Sequence, residues 1–506
     1  MSASVLRVTN LVASGMASFF LMPLLVHRLG DRTYGFWSLA LSFIFYYTFL
    51  EIGLSGAVSQ HISAAIGRNE RTACRAIFNA ALRVQLLLGA IALLVTVAIA
   101  LSAPLFSKDS ADADLFAKVI LILGGSTALG FPARVYAGVL ESEVRFDIRS
   151  WLSFLSLALR TGMIVGVILA GGGLVALAWA TQIAILPETV LQIWFARRVA
   201  PWARIESGAR VWQAVRPLLS YMIYTTFTFV ADLVRFQIDP LVIAALIGLV
   251  AVTHYRVAGL STQYYLQLIS CSIGMLFPIL GRLHSAGNRA RVEEAFYFGT
   301  KVATCISVFI CFAIVAWGKA FIIRWMGSPY LDGYLPMVVL ALAAFLDACQ
   351  KPSIDFLYAT FNNRIHTYLN SAEGLLNLLF SLALARPLGI LGVALGTLIG
   401  ACVVRITVQP WWVCKVTGLP YTDYLMFLVK TVLRCGGLAA AAIAIVAWGI
   451  TPNYFWLVTS AISSTALYGI GSWWIVLDGP EREKLFSAIK RGARQTTNPA
   501  LSRAAV

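Results

Sequence analysis

Apolar residues run through this chain in long stretches, separated by short polar or basic segments. A helix that crosses a bilayer needs about 20 mainly apolar residues. Runs of that kind fall near 8–28, 36–60, 78–102, 115–138, 151–170, 174–196, 217–246, 255–281, 296–318, 335–358, 366–386, 392–412, 432–450 and 454–477. The pattern predicts an all-α polytopic membrane protein of about 14 transmembrane helices. The seventh run is long and carries charges. No outer loop is long enough to house a catalytic domain.

The runs repeat. Pro23-Leu24-Leu25-Val26, followed by Gly30 and Tyr34, recurs as Pro240-Leu241-Val242-Ile243, Gly248 and Tyr255. Gly67-Arg68-Asn69 before Ala76-Ile77-Phe78 recurs as Gly287-Asn288-Arg289 before Ala295-Phe296. Pro132 matches Pro352, and Gly173-Leu174-Val175-Ala176-Leu177 matches Gly392-Val393-Ala394-Leu395. Every offset is about 220 residues, at the same place in the hairpin plan. Six spans per half is an even number, so both halves enter the membrane from one side. That predicts two parallel six-helix repeats, forming N and C lobes around a central cavity. The expected divisions are 1–210 for the N lobe, 211–430 for the C lobe and 431–478 for two extra helices. Residues 479–506 form a basic tail, read as a short helix followed by disorder. Gly392, Gly396 and Gly400 make a smooth helix face, read as packing.

Composition removes the soluble alternative. Of 506 residues, 59% are hydrophobic and 12% charged. Mean hydropathy is +0.80. A soluble domain carries about 25% charged residues, so this chain cannot coat a water-facing surface. The net charge of +16 does not indicate nucleic acid. With the N-terminus inside, about 25 Lys/Arg fall on inner loops and about 7 on outer ones, the positive-inside bias. Both termini are then expected in the cytoplasm, and some basic residues can meet anionic lipid headgroups. The first apolar run leads into Leu29-Gly30-Asp31-Arg32 rather than a small-residue cleavage site, so it reads as a retained start-transfer segment. The eight cysteines include no C-x-x-C pair and read as small packing residues. Trp37, Trp411, Trp412, Trp473 and Trp474 read as interface anchors.

The informative side chains are charges within the runs, each costing roughly 2.5–3.5 kcal/mol at a helix centre on insertion scales. Asp232, Arg235 and Asp239 are spaced three and four apart, and Asp347, Lys351 and Asp355 four and four. Each triplet places acid, base and acid on one helix face. Pro352 weakens the helix beside the lysine. Such a stripe either neutralises itself and holds helices together, or lines a polar cavity. In a cavity it could hold a cation between carboxylates or offer a base to an anion. Glu51, Arg134, Arg160, Glu188, Glu373 and Arg405 are further charges in spans. Arg160 sits mid-span with no acid within a turn and needs a partner on another helix or an anionic ligand. Arg83, Arg134 and Lys301 lie near inner span ends, where snorkelling would serve. Glu188 follows Pro187 and marks a candidate break in span six.

No catalytic constellation emerges. The five histidines lack H-x-x-x-H or H-E-x-x-H spacing, and no P-loop is present. The chain reads as a transporter rather than an enzyme, with no cofactor.

The opening segment Pro23-Leu24-Leu25-Val26-His27-Arg28-Leu29-Gly30-Asp31-Arg32-Thr33-Tyr34-Gly35-Phe36-Trp37-Ser38-Leu39 resembles the start of polysaccharide-biosynthesis flippases. Gly138-Val139-Leu140-Glu141 through Phe146 does so too. The whole plan resembles the multidrug/oligosaccharidyl-lipid/polysaccharide exporter superfamily, to about residue 480. The resemblance implies a flippase of the O-antigen or exopolysaccharide type in a bacterial inner membrane. Its substrate would be an undecaprenyl-diphosphate-linked oligosaccharide, moved from the cytoplasmic to the periplasmic leaflet by alternating access. H+ or Na+ would be the coupling ion, and other polysaccharide-assembly proteins are candidate contacts. Charge and depth then mark Arg160, Arg235, Lys351 and Arg405 for the anionic head group. Asp232, Asp239, Asp347 and Asp355 are marked for the coupling ion. A multidrug exporter of the same fold is the first alternative. A membrane-embedded polysaccharide polymerase or glycosyltransferase is the second.

Overall fold

A computed structural model describes residues 3–105, 110–205, 235, 237–273, 276–285, 289–360, 363–447 and 453–483. Every predicted span is helical where it is described. In chain order the helices are α1 (Ala3–Leu29), α2 (Asp31–Gly67), α3 (Arg71–Leu101), α4 (Ser110–Ser142), α5 (Phe146–Leu169), α6 (Leu174–Ile183) and α7 (Leu186–Val199). There follow α8 (Asp239–Leu246), α9 (Leu249–Ile273), α10 (Leu276–Ser285), α11 (Arg289–Trp325), α12 (Tyr334–Cys349) and α13 (Lys351–Ala359). The last are α14 (Asn363–Ala401), α15 (Gln409–Thr417), α16 (Tyr421–Ala447) and α17 (Tyr454–Ile475). Among the described residues, 8 stretches are long and apolar enough to cross a membrane. The chain is an all-helical, multi-pass membrane protein. Residues 217–234 of the seventh predicted span, Asp232 included, lie outside the described residues, as do the Glu51 side chain and the tail from 484.

Breaks within spans have local causes. Span six parts between α6 and α7 just before Pro187, where the expected break falls. Span ten parts at Gln350, because Pro352 cannot donate to the carbonyl four residues back. The run Asn363–Ala401 is two helices meeting at Gly389, whose φ of 60° and ψ of −141° lie outside helical space.

Two pairs of turn glycines with positive φ recur at the spacing expected of the repeat. Gly30 joins α1 to α2 at φ +81°, and Gly248 joins α8 to α9 at φ +131°. Gly171 ends span five at φ +74°, and Gly389 ends span eleven at φ +60°. Each pair is separated by about one repeat length, and each turn needs the left-handed conformation that only glycine adopts without strain.

The chain divides into two compact units, Met1–Arg256 with Gly374–Val393, and Val257–Glu373 with Ala394–Val506. In the first unit α2, α3 and α4 pack together. A Cβ on Gly89 would lie 2.7 Å from the Ala128 carbonyl oxygen, and one on Gly124 would lie 2.6 Å from Thr96 Oγ1. These glycines set the α3–α4 spacing, as small residues do where lipid supplies no hydrophobic drive. Phe36, Phe116 and Leu177 anchor one apolar cluster, and Phe78, Tyr136 and Trp202 another. In the second unit α11 packs against α12 and α16, around Phe296, Phe356 and Tyr424. Phe309 stacks on Tyr468 at 4.8 Å, holding α17. Lys301 Nζ bonds Glu481 Oε1 at 2.9 Å and Asp478 Oδ2 at 3.1 Å, so the start of the tail is tied to α11.

Candidate functional site

The first unit brings two polar groups together where α8 and α9 meet. Asp239 opens α8 and is buried. Tyr255 donates its hydroxyl to Asp239 Oδ2 at 2.5 Å. Asn377 Nδ2, on α14, lies 3.2 Å from Asp239 Oδ1 and 3.3 Å from the Arg235 carbonyl oxygen. Ser381 Oγ, one turn on, lies 2.9 Å from Asn377 Oδ1 and 3.2 Å from the Val393 carbonyl oxygen, two acceptors for its single O–H. A carboxylate, an amide, two hydroxyls and two backbone carbonyls therefore converge. The amide's oxygen and nitrogen are assigned from these bonds, and turning it over would aim its oxygen at Asp239. Such an oxygen-rich set suits a small hard cation.

Arg256 stands beside Tyr255 on α9. Its Nε donates to Ser38 Oγ at 2.8 Å and its Nη2 to Ser42 Oγ at 2.7 Å. Ser38 and Ser42 are buried and lie one turn apart on α2, so both hydroxyls face one way. Two further contacts hold α9 against α2. Thr253 Oγ1 donates to the Asp31 carbonyl oxygen at 2.7 Å. A Cβ on Gly35 would lie 2.2 Å from the Leu249 carbonyl oxygen. A guanidinium has five N–H donors, and hydroxyls fix its geometry without cancelling its charge. Among the described residues no carboxylate makes an ion pair with Arg256. Asp239 is within its electrostatic reach. A cation among apolar helices that makes no ion pair is stabilised by a nearby opposite charge, by an anionic ligand or by a wet cavity.

Arg256 is absent from the sequence-level candidates because its span was placed at 255–281, which puts it at the mouth. Helix α9 starts at Leu249, so Arg256 lies two turns inside. The signal was available: the Pro240, Gly248 and Tyr255 match aligns this turn with Pro23, Gly30 and Tyr34, well within a repeat unit.

Arg405 lies elsewhere, in the second unit. Its side chain is wholly buried. Asp347 Oδ1 lies 2.8 Å from its Nε and Glu373 Oε2 lies 2.8 Å from its Nη2. These are charge contacts rather than aligned hydrogen bonds, since Asp347 Oδ1 and Arg405 Nε make none. Asn370 Oδ1 accepts from Nη2 at 2.8 Å, and Gln409 Oε1 accepts from Nη1. Arg405 occupies a widened π-helical turn, Cys402–Val408, just before Pro410. The wider turn absorbs the hydrogen bond that the proline cannot make. Two carboxylates already hold this arginine, so its charge is committed within the unit.

The remaining candidates are spread out. Asp347, Lys351 and Asp355 do not act as one stripe, because the break at Gln350 sends Asp347 to Arg405 and leaves Lys351 paired with Asp355. Asp355 is buried, and Lys351 is partly exposed. Arg160 is exposed on α5. Arg235 is buried beside the Asp239 cluster. Asp232 lies outside the described residues. Of the eight candidates, Asp239 and the Arg235 carbonyl meet at Asn377 in the first unit, while Asp347 pairs with Arg405 and Lys351 with Asp355 in the second.

Comparison with known proteins adds the following. The model of the polysaccharide biosynthesis protein family matches residues 2–284. An uncharacterized membrane protein of Bacillus subtilis, EpsK, is 21% identical over 461 residues, covering 87% of this chain and 86% of its own. An uncharacterized membrane protein of Methanocaldococcus jannaschii is 24% identical over 221 residues, covering 42% of each chain. Among solved structures, the lipid II flippase MurJ in an inward closed conformation superposes with a TM-score of 0.72 at 13% identity, over 92% of this chain and 98% of its own. An inward-facing multidrug resistance MATE family transporter of the MOP superfamily gives 0.66 at 16% identity, over 83% and 99%. The fold is that of these transporters.

Proposed function

Since the chain belongs to the polysaccharide biosynthesis protein family, with a MOP-superfamily transporter fold, we propose that it is a flippase for an undecaprenyl-diphosphate-linked oligosaccharide. It carries an O-antigen or exopolysaccharide unit from the cytoplasmic to the periplasmic leaflet by alternating access. It sits in the bacterial inner membrane with about 14 spans and both termini in the cytoplasm.

The observation that carries this reading is Arg256. It is a fixed cation two turns into α9, held by two hydroxyls, and a guanidinium has further N–H donors. A diphosphate cannot cross hydrocarbon alone, because burying an uncompensated charge is prohibitive. A guanidinium takes two phosphate oxygens in a fork, which a lysine cannot do. The oxygen cluster at Asp239, which is bonded by the neighbouring residue Tyr255, supports ion coupling, with Na+ or H+ as the ion. The likeness to lipid II flippase MurJ supports a lipid-linked substrate.

The test is complementation. A strain lacking this gene should lose surface polysaccharide and accumulate lipid-linked oligosaccharide on the cytoplasmic leaflet. The wild-type gene should restore it and Arg256→Ala should not. Normal polysaccharide in the deletion strain would overturn the reading. The MATE likeness favours a second reading, multidrug export. That reading predicts drug sensitivity in the same strain with polysaccharide intact.

A further inference from the structure

The two helices that follow the repeat carry few charges. Helices α16 and α17 together hold Asp423, Lys430 and Arg434, all on α16. Tyr424, Leu428, Thr431, Cys435 and Ala439 are buried, on the side of α16 that packs against α11 and α17. Lys430 and Arg434 are exposed, one turn apart on another side. Met426, Val429 and Leu433, also exposed, flank them. We infer that Lys430 and Arg434 bind the phosphate of an anionic phospholipid in the inner leaflet.

Depth along the helix makes these cations unusual. Helix α16 has 27 residues, about 40 Å at 1.5 Å per residue, against a hydrocarbon core about 30 Å thick. Lys430 lies about 14 Å and Arg434 about 20 Å from its first residue, so Arg434 stands near the middle of the helix. Among the described residues neither makes an ion pair or a hydrogen bond through its side chain. Asp423 lies about two turns nearer the start, and no ion pair joins it to Lys430. An exposed charge in a span is costly without a partner. Like charges four residues apart on a helix also repel, and away from water that repulsion is poorly screened. An anion held between the two relieves both costs at once.

The surroundings suit a lipid rather than a free ion. Helical side chains lean toward the N-terminus of their helix. With both termini in the cytoplasm, α16 starts at the inner face, so both arms lead toward the inner headgroups. The guanidinium offers a fork for two phosphate oxygens, and the ammonium adds a point charge. One turn deeper than Arg434, a Cβ on Gly437 would meet nothing within 4 Å. A phosphate held by the pair therefore brings its acyl chains against Leu433 and over the open surface at Gly437. A free phosphate would gain the same charge contacts but would have to leave water for an apolar face. The choice of leaflet rests on the topology proposed above. The match of two cations to a lipid phosphate does not depend on what the protein transports.

The experiment uses the full-length protein purified in detergent, incubated with phosphatidylglycerol or with phosphatidylcholine of the same acyl chains. Native mass spectrometry counts the lipids that each protein retains. The wild type should retain one phosphatidylglycerol more than Lys430→Gln/Arg434→Gln, and the two should retain phosphatidylcholine alike. The charge-preserving exchange Lys430→Arg/Arg434→Lys should keep that lipid. If the double variant does not accumulate, Lys430→Gln and Arg434→Gln decide singly, each carrying less phosphatidylglycerol than the wild type. Equal phosphatidylglycerol retention by the wild type and the variants overturns the inference. An equal loss of phosphatidylcholine overturns it too, since the face would then hold lipid by packing alone. Both of these outcomes leave the flippase reading standing. Displacement of the retained lipid by equimolar farnesyl diphosphate also overturns the inference, and assigns the pair to the transported lipid diphosphate instead.

Discussion

Tyr255 and Asp239 share a 2.5 Å hydrogen bond between neighbouring helices, across the left-handed turn at Gly248. The bond holds one oxygen of a buried carboxylate and leaves the other facing Asn377. This carboxylate, set among an amide and backbone carbonyls, is the candidate cation site, and removing its charge should remove the ion. Na+ should raise the melting temperature of the wild type, by the equivalent of about 2.7 kcal/mol at a hundredfold excess over Kd. Asp239→Asn should show no Na+ response beyond that of choline. An undiminished Na+ response in the variant would show that the ion binds elsewhere.

Arg256 should tolerate little change. Hydrogen bonds to a charged group contribute about 1.5–3 kcal/mol, so Arg256→Ala should weaken lipid-diphosphate binding roughly tenfold to a hundredfold. Arg256→Lys keeps the charge but not the fork and should recover only part of the loss. Binding of farnesyl diphosphate to the purified variants measures this, and unaltered binding in the alanine variant would remove Arg256 from the site.

Arg405 should act on stability. Its removal leaves Asp347 and Glu373 buried together with no cation, and breaking a buried pair costs about 3–5 kcal/mol. Arg405→Met should therefore lower the melting temperature sharply. Combining it with Asp347→Asn and Glu373→Gln should restore most of the loss, because no uncompensated charge remains. A triple variant as unstable as the single one would mean that packing, not charge, dominates there.

Lys351 and Asp355 should show the same logic in milder form, since Lys351 is partly exposed. Lys351→Ala should destabilise, and adding Asp355→Asn should reverse most of that. Thermal unfolding of the two variants provides the measurement. If the lysine also serves transport, surface polysaccharide will stay low in the stable double variant.

Arg160 is exposed on α5, and among the described residues no carboxylate pairs with it. Arg160→Ala should leave membrane insertion and melting temperature unchanged while reducing surface polysaccharide. Wild-type polysaccharide levels in that variant would remove Arg160 from the transport pathway.

The membrane class, the helical segments and the internal repeat could be read from the sequence alone. Each depends on information that is local or periodic. About 20 apolar residues make a span whatever surrounds them, and a left-handed glycine marks a turn wherever it stands. Proline likewise announced the breaks in spans six and ten. Asp239 was visible as a charge in an apolar run, but its oxygen neighbours were not. Asn377, Ser381 and Val393 come from a helix more than a hundred residues away; Asn377 reads in sequence only as one of several polar residues able to supply contacts, and nothing local marks Ser381 or the Val393 carbonyl. Only the tertiary structure decided which charges are committed. Arg405 reads in sequence as a candidate for the anionic head group, and in the structure it is held by Asp347 and Glu373 from two other segments. Arg256 falls at the edge of the run 255–281 and stands inside a helix, where among the described residues its hydrogen bonds go to the hydroxyls of Ser38 and Ser42. A charge in a span advertises the cost of burying it. Which partner offsets that cost depends on helix packing and register, and these are properties of the assembled chain.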